Sequence, residues 1–229
     1  MLNSANMHEF VETEDGSVTL YVPELNEHYH SVHGAIREAQ HIFLGAGFDY
    51  WLDTHPNTPC LHILEAGFGT GLNAYLTLLH AHEKQQPVCY HTLEKYPLSL
   101  EEIKHLNYTM QIDSCDKSLF NTIHTIPWET EQQLTPFFSI CKHKCDFRDF
   151  DMPPIFDIVY FDAFNPEVQP HLWTTEVFTH FHTSLHPDRI LVTYCVKGIV
   201  KQALRTVGFT IKRLPGPPGK REMLRAHKI

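Results

Sequence analysis

The sequence predicts an α/β fold with one mostly parallel, seven-stranded sheet and an antiparallel last strand. Three observations carry that expectation. From residue 61 onward, short apolar runs of strand length alternate with stretches of helical periodicity. The run Leu61-His62-Ile63-Leu64-Glu65-Ala66-Gly67-Phe68-Gly69-Thr70-Gly71 passes at once into Leu72-Asn73-Ala74-Tyr75-Leu76, which reads as strand, glycine-rich turn and helix. Two extended runs, Phe209 to Arg213 and Glu222 to Ala226, bracket Pro215-Gly216-Pro217-Pro218-Gly219-Lys220-Arg221 as a hairpin.

With 229 residues, 42% of them hydrophobic, the chain can bury one sizeable core. We expect one domain over residues 55–229, with residues 1–54 as an N-terminal extension packed against it. No apolar run approaches the roughly 20 residues that cross a bilayer, and no membrane role is expected. Met1 to Glu14 is polar and acidic rather than basic and then apolar, so the reading is cytoplasmic, without a signal peptide. Cysteines 60, 89, 115, 141, 145 and 195 form no Cys-x-x-Cys pair and are expected to be free thiols. Residues 1–188 hold 8 Lys+Arg against 26 Asp+Glu, whereas residues 189–229 hold 10 against one, Glu222. An acidic body with a basic end fits a polyanionic partner docking on one face, or a solvated lysine-rich surface.

In chain order, Asp15-Gly16 reads as a turn before an extended run, Ser17 to Val22. His28, His30 and His33 lack an acidic or cysteine partner at a known metal spacing, so they are expected to pack or to wall a ligand, and no metal is expected. A helix follows through Ala35, Ile36, Ala39, Ile42 and Phe43, to be closed by Gly45 and Gly47. The helix after the glycine turn ends in the polar run Glu83 to Gln86, and Pro87 to Glu94 is the second strand. Residues 105–138 read as helical connections. Phe138 to Cys141 is a third strand and Ile155 to Phe161 a buried fourth. An amphipathic helix with Pro170 in its first turn carries Trp173, Val177, Phe178 and Phe181. Ile190 to Tyr194 is the fifth strand. The next helix holds Ile199, Val200, Ala203, Leu204 and Val207, ends at Gly208, and lines up Lys197, Lys201 and Arg205 in one basic stripe.

The glycine turn is where chemistry first shows. A dinucleotide fingerprint would need glycine at position 72, where Leu72 stands. The pattern Glu65-x-Gly67-x-Gly69-x-Gly71 resembles instead the first motif of class I S-adenosylmethionine (SAM) methyltransferases, which have a Rossmann-like sheet. Glu94, about 20 residues past the loop and at a strand's C-terminal end, stands where doubly wound folds place an acceptor for ribose hydroxyls. Asp146 beside Phe147 offers an acceptor for an adenine amino group and a ring to stack on it. Asp162 ends the fourth strand, where it could orient an amine and take its proton. Phe164 and Trp173 could wall an extruded base, or simply pack.

Several runs occur together in one order. They are Asp15-Gly16-Ser17, Glu27-His28-Tyr29-His30-Ser31, Glu65 to Asn73, Glu94-Lys95-Tyr96-Pro97-Leu98, Phe161-Asp162-Ala163-Phe164-Asn165-Pro166, Leu172-Trp173-Thr174 and Gly219 to Leu224. The set resembles the methyltransferase half of the MnmC family, which methylates the aminomethyl group on the wobble uridine of certain tRNAs. That resemblance implies Asn73 and Lys95 as further cofactor residues and Asp162, with Phe164 beside it, as the catalytic centre. Phe161 and Ala163 depart from the family's Leu-Asp-Gly-Phe pattern. The implied partner is a tRNA anticodon arm, met by Trp173, Lys197, Lys201, Arg205, Lys220 and Arg221. Without a flavin oxidase half, the chain is expected to take an aminomethyl uridine made by upstream enzymes. A spermidine-synthase-like aminopropyltransferase is the rival enzyme, and the basic end, which would repel a polycation, argues against it. A non-catalytic RNA-binding module is the other rival, opposed by Glu94 and the glycine loop.

Overall fold

The computed structural model describes residues 8–112 and 118–229; Cys115 and the first seven residues of the acidic N-terminal run lie outside them. The chain begins with a small antiparallel sheet of β1 (Glu9–Glu12), β2 (Val18–Val22) and β3 (Glu27–His28). A helical stretch follows without interruption: α1 (Ala35–Ala39), a π-helical segment Gln40–Asp49, and α2 (Tyr50–Thr54).

Gly45 and Gly47 therefore do not end the helix, contrary to the sequence expectation. The smallness of Gly47 serves a close approach instead. A Cβ on Gly47 would come within 3.0 Å of the Tyr160 ring and 3.3 Å of Val192, so the helix lies almost directly on the sheet. Phe43, Phe48 and Trp51 share one hydrophobic cluster with Ile63, Tyr90 and Tyr160. The core thus runs unbroken across the expected boundary at residue 54.

The main body comprises β4 (Leu61–Ala66), α3 (Leu72–Lys84), β5 (Val88–Leu93), α4 (Leu100–Ile103), α5 (Tyr108–Gln111) and α6 (Ser118–Thr125). Next come β6 (Gln132–Thr135), β7 (Phe138–His143), β8 (Phe156–Phe161), a 3-10 turn Pro170–Leu172 and α7 (Thr175–Ser184). The chain continues through β9 (Leu185–Thr193), α8 (Gly198–Thr206), β10 (Phe209–Pro215) and β11 (Glu222–Lys228).

The large sheet runs β10-β11-β9-β8-β4-β5-β7-β6. Neighbours among β9, β8, β4, β5 and β7 pair in parallel, whereas β11 is antiparallel to both β9 and β10. The expected seven strands are present, and β6 adds an eighth. β6 pairs antiparallel with β7 through a bulge near Gln133 and Thr135. Its Gln-Gln-Leu-Thr sequence has little apolar alternation, so a strand was not foreseen within residues 105–138.

All six residues of β8 are buried, because helices cover both faces of a parallel sheet. On one face lie the helical stretch 35–54, α3 and α6; on the other lie α7 and α8. The amphipathic helix expected from Pro170 is broken in two. Thr174 takes an extended conformation (φ −89°, ψ 161°) and its hydroxyl accepts from the Val177 amide, which restarts the helix as α7. From β4 the chain moves outward through β5 to β7 and then returns to β8 on the other side of β4. That reversal opens a crevice at the C-terminal ends of β4, β5 and β8.

Candidate active site

Three strand ends build the crevice. After β4, Gly67 adopts φ +97°, and a Cβ there would lie 2.9 Å from the Asp162 carbonyl oxygen. Only glycine lets the turn pass that close to the loop after β8. The amides of Gly67 and Phe68 both donate to the Leu93 carbonyl at the end of β5, and the Asp162 amide donates to Ala66 O. The three ends are thus tied to one another by backbone bonds. Gly71 (φ +72°) then caps α3, whose N-terminus faces the crevice.

Glu94 leaves β5 and folds back over the loop. The Gly69 amide donates to Glu94 Oε2 at 3.0 Å and the Tyr96 amide to Oε1 at 2.8 Å. Burial raises this carboxyl above its ordinary range, against the pull of those amides. Each oxygen keeps a lone pair for a hydroxyl donor. The cleft encloses about 1060 Å³, counting its open mouth, and Gly67, Gly69, Asn73, Glu94, Lys95, Asp146, Phe147 and Asp162 all line it.

Asp162 stands at the junction with a second cavity. Asn73, in the first turn of α3, donates through Nδ2 to Asp162 Oδ2 at 2.8 Å. Burial outweighs that hydrogen bond and, with the negative charge of Glu38, pushes the Asp162 carboxyl up to about 7. Tyr29, His30, Ala163 and Phe164 line both cavities, and Glu38, Tyr194 and Lys220 line only the second. Phe164 and Tyr29 meet edge to face, 4.9 Å between centroids. Tyr29 also lies over the glycine loop, since a Cβ on Gly69 would be 3.1 Å from its ring.

Not every residue expected at the site faces it. Glu65 is fully buried beneath the loop, where the Thr92 hydroxyl donates to its Oε2 at 2.6 Å and burial lifts it to about 8. It braces β4 against β5 and is absent from the cleft lining. Trp173 is buried as well, its indole N–H donating to Phe164 O at 2.7 Å. It fixes the loop that presents Phe164 and lines neither of these two cavities. Asp146 lines the cleft with its oxygens already occupied, by Lys95 at 2.9 Å and by Arg148 at 2.7 and 3.0 Å, and this pairing holds its carboxyl far below the usual range.

The basic residues separate into two groups. Lys220 turns inward to pair with Glu38, its ammonium 4.1 Å from the centroid of the Tyr194 ring. Lys197 pairs with Glu167 and shares a surface groove with Arg221, Tyr194 and Lys220. Lys201 and Arg205 follow one and two turns along α8, about 6 and 12 Å farther on. His28, His30 and His33 do not converge. His28 packs on Tyr21, His30 reaches Thr19 and His33 pairs with Glu14.

Tyr29, Glu38 and Tyr194 were not singled out by sequence. Only Tyr29 had a signal, its place inside the Glu27 to Ser31 run.

Residues 138–229 match a family described as S-adenosyl-L-methionine-dependent methyltransferases. Over 92% of its length the chain is 27% identical to a protein of Marinomonas sp. named tRNA 5-methylaminomethyl-2-thiouridine biosynthesis bifunctional protein MnmC, covering 32% of that protein. A protein of the same name from Delftia acidovorans is 28% identical over 91% of the chain and 33% of its own length. The chain therefore spans about a third of the curated relatives it matches. Among solved structures, MNMC2 from Aquifex aeolicus superposes with a TM-score of 0.79 at 25% identity, over 97% of this chain and 70% of that one.

Proposed function

We propose that this chain, similar to the MnmC proteins and to a family of SAM-dependent methyltransferases, is an MnmC-type methyltransferase domain that methylates the primary amine of a 5-aminomethyl uridine at the wobble position of tRNA. The observation that carries the reading is Asp162, one carboxyl shared by two cavities and pushed up to about 7.

The first cavity suits SAM on its own geometry. Gly67 and Gly69 leave backbone where a Cβ would collide, and Glu94 presents two anchored oxygens that would accept from ribose hydroxyls. Asn73, Lys95 and Phe147 complete the wall in this reading. When bound, the cofactor supplies an electrophilic methyl group on a sulfonium. The rest is done by the chain.

An acceptor amine enters from the second cavity as an ammonium, drawn by the ionised form of Asp162. Asn73 holds one oxygen of Asp162, and the other takes a proton from the amine, freeing the nitrogen lone pair. Near neutral pH a carboxyl with a pKa of about 7 is well poised for that transfer. Phe164 and Tyr29 supply ring faces for an extruded base. Lys197 and Arg221 rim the groove that joins the second cavity through Asn165, Tyr194 and Lys220, and meet phosphates.

The test uses the purified protein, SAM labelled in its methyl group, and tRNA carrying the unmethylated aminomethyl uridine. Label should appear in a methylaminomethyl nucleoside after digestion. Unlabelled tRNA would overturn the reading, and transfer from decarboxylated SAM to a polyamine would replace it with aminopropyl transfer.

A further inference from the structure

On the far side of the sheet from α3, the paired strands β5 and β7 gather side chains that the methyl-transfer reading leaves unused. Tyr90 and Ile140 turn toward the core shared with α3 and α6. By strand alternation, their neighbours His91, Cys141 and His143 turn to the opposite face. The ligand atoms of these three all lie within 4.8 Å of one another. Cys141 is buried, and both imidazoles are partly exposed.

The hydrogen bonds fix how the rings present themselves. Glu129 is held by the Lys144 amide at 2.6 Å, and its carboxylate lies 3.0 Å from His143 Nδ1. That contact places the His143 proton on Nδ1 and leaves a lone pair on Nε2. Nε2 faces His91 Nδ1 at 2.9 Å, while His91 Nε2 lies 3.6 Å from Cys89 Sγ. In the metal-free protein His91 donates from Nδ1 to that lone pair; moving its proton to Nε2, toward the Cys89 sulfur, leaves both facing nitrogens free to ligate.

We propose that His91, Cys141 and His143 bind one divalent cation of the zinc class, oriented by Glu129, with water completing the shell. A histidine that gives its second nitrogen to a carboxylate is the usual partner of such an ion. Two imidazoles and a thiolate are ligands that suit zinc over calcium or magnesium. Binding forms two N–metal bonds and one S–metal bond, and the Cys141 thiol proton leaves to solvent. At zinc–nitrogen distances of about 2.0–2.1 Å and zinc–sulfur of about 2.3 Å, the two nitrogens, 2.9 Å apart, must spread by a few tenths of an ångström while the sulfur adjusts its distance to them. Side-chain rotation on two paired strands supplies that. The ion would clamp β5 to β7 below Glu94, whose amide donates to the His143 carbonyl at 2.9 Å.

The experiment is equilibrium dialysis of metal-stripped protein against Zn²⁺, with Co²⁺ as a spectroscopic substitute. One equivalent of metal per chain and a thiolate-to-cobalt absorption band are expected. Cys141→Ser should abolish the band, Glu129→Gln should weaken binding about 10- to 100-fold, and Cys89→Ser should keep both metal and band. Absence of stoichiometric metal in the wild type, or a band that survives Cys141→Ser, overturns the proposal. Because Cys141→Ser is nearly isosteric, the test holds even where the histidine variants fail to fold. None of these readouts depends on methyl transfer.

Discussion

Asp162 joins an apolar strand end to two cavities, and its raised pKa makes a directional prediction. Turnover should rise with pH through about 7 as the carboxyl ionises and then level off. Asp162→Asn should lower turnover by about 10²–10⁴-fold while leaving SAM affinity within a few-fold. A flat pH profile, or equal loss of binding and turnover, would remove Asp162 from proton transfer. The same shift bears on stability. Between the ordinary carboxyl value of 3.8 and about 7 the folded protein holds a proton that the unfolded chain has released. This group's contribution to stability therefore declines as pH rises across that window. Glu94 and Asp162 were legible in the sequence because an acid directly after an apolar strand has a fixed place in a parallel sheet. Tyr29, Glu38 and Tyr194 were not, since segments far apart in the chain bring them to the second cavity. Glu65 and Trp173 illustrate the opposite case: both stand inside the motifs, but burial directs them into supporting contacts.

Elements show a similar division between local and tertiary control. β4, α3, β5, β8 and the β10–β11 pair follow from periodicity and turn residues, within a few positions at each end. The helical stretch over residues 35–54 does not stop at its glycines, because Gly47 is selected for contact with Tyr160 and Val192. Gly47→Val should then force the helix off the sheet and cost about 1–3 kcal/mol, measured as a lower urea midpoint with an unchanged slope. Wild-type stability in that variant would show that the segment can shift freely. β6 could not be read because its pairing with β7, and not its own composition, makes it a strand.

Across the whole molecule, the charge imbalance becomes a surface only in part. Lys220 is spent on Glu38 and Lys197 shares Glu167, so of the five basic residues expected to meet phosphates, Arg205 and Arg221 stay exposed and Lys201 half-buried. The logarithm of tRNA affinity should fall linearly with the logarithm of salt concentration. In Lys201→Ala/Arg205→Ala that slope should shrink by about two, with all tRNAs weakened alike. Superimposable salt titrations for wild type and double variant would take α8 out of the docking face. The sheet order also sets a schedule. β11 lies between β9 and β10, so during synthesis β10 waits without a neighbour until residues 222–228 emerge from the ribosome. The cofactor cleft is lined by residues 29 to 172, whereas the second cavity needs Lys220 from the turn joining the last two strands. A nascent chain can thus complete its nucleoside cradle while the place for the acceptor is still unmade.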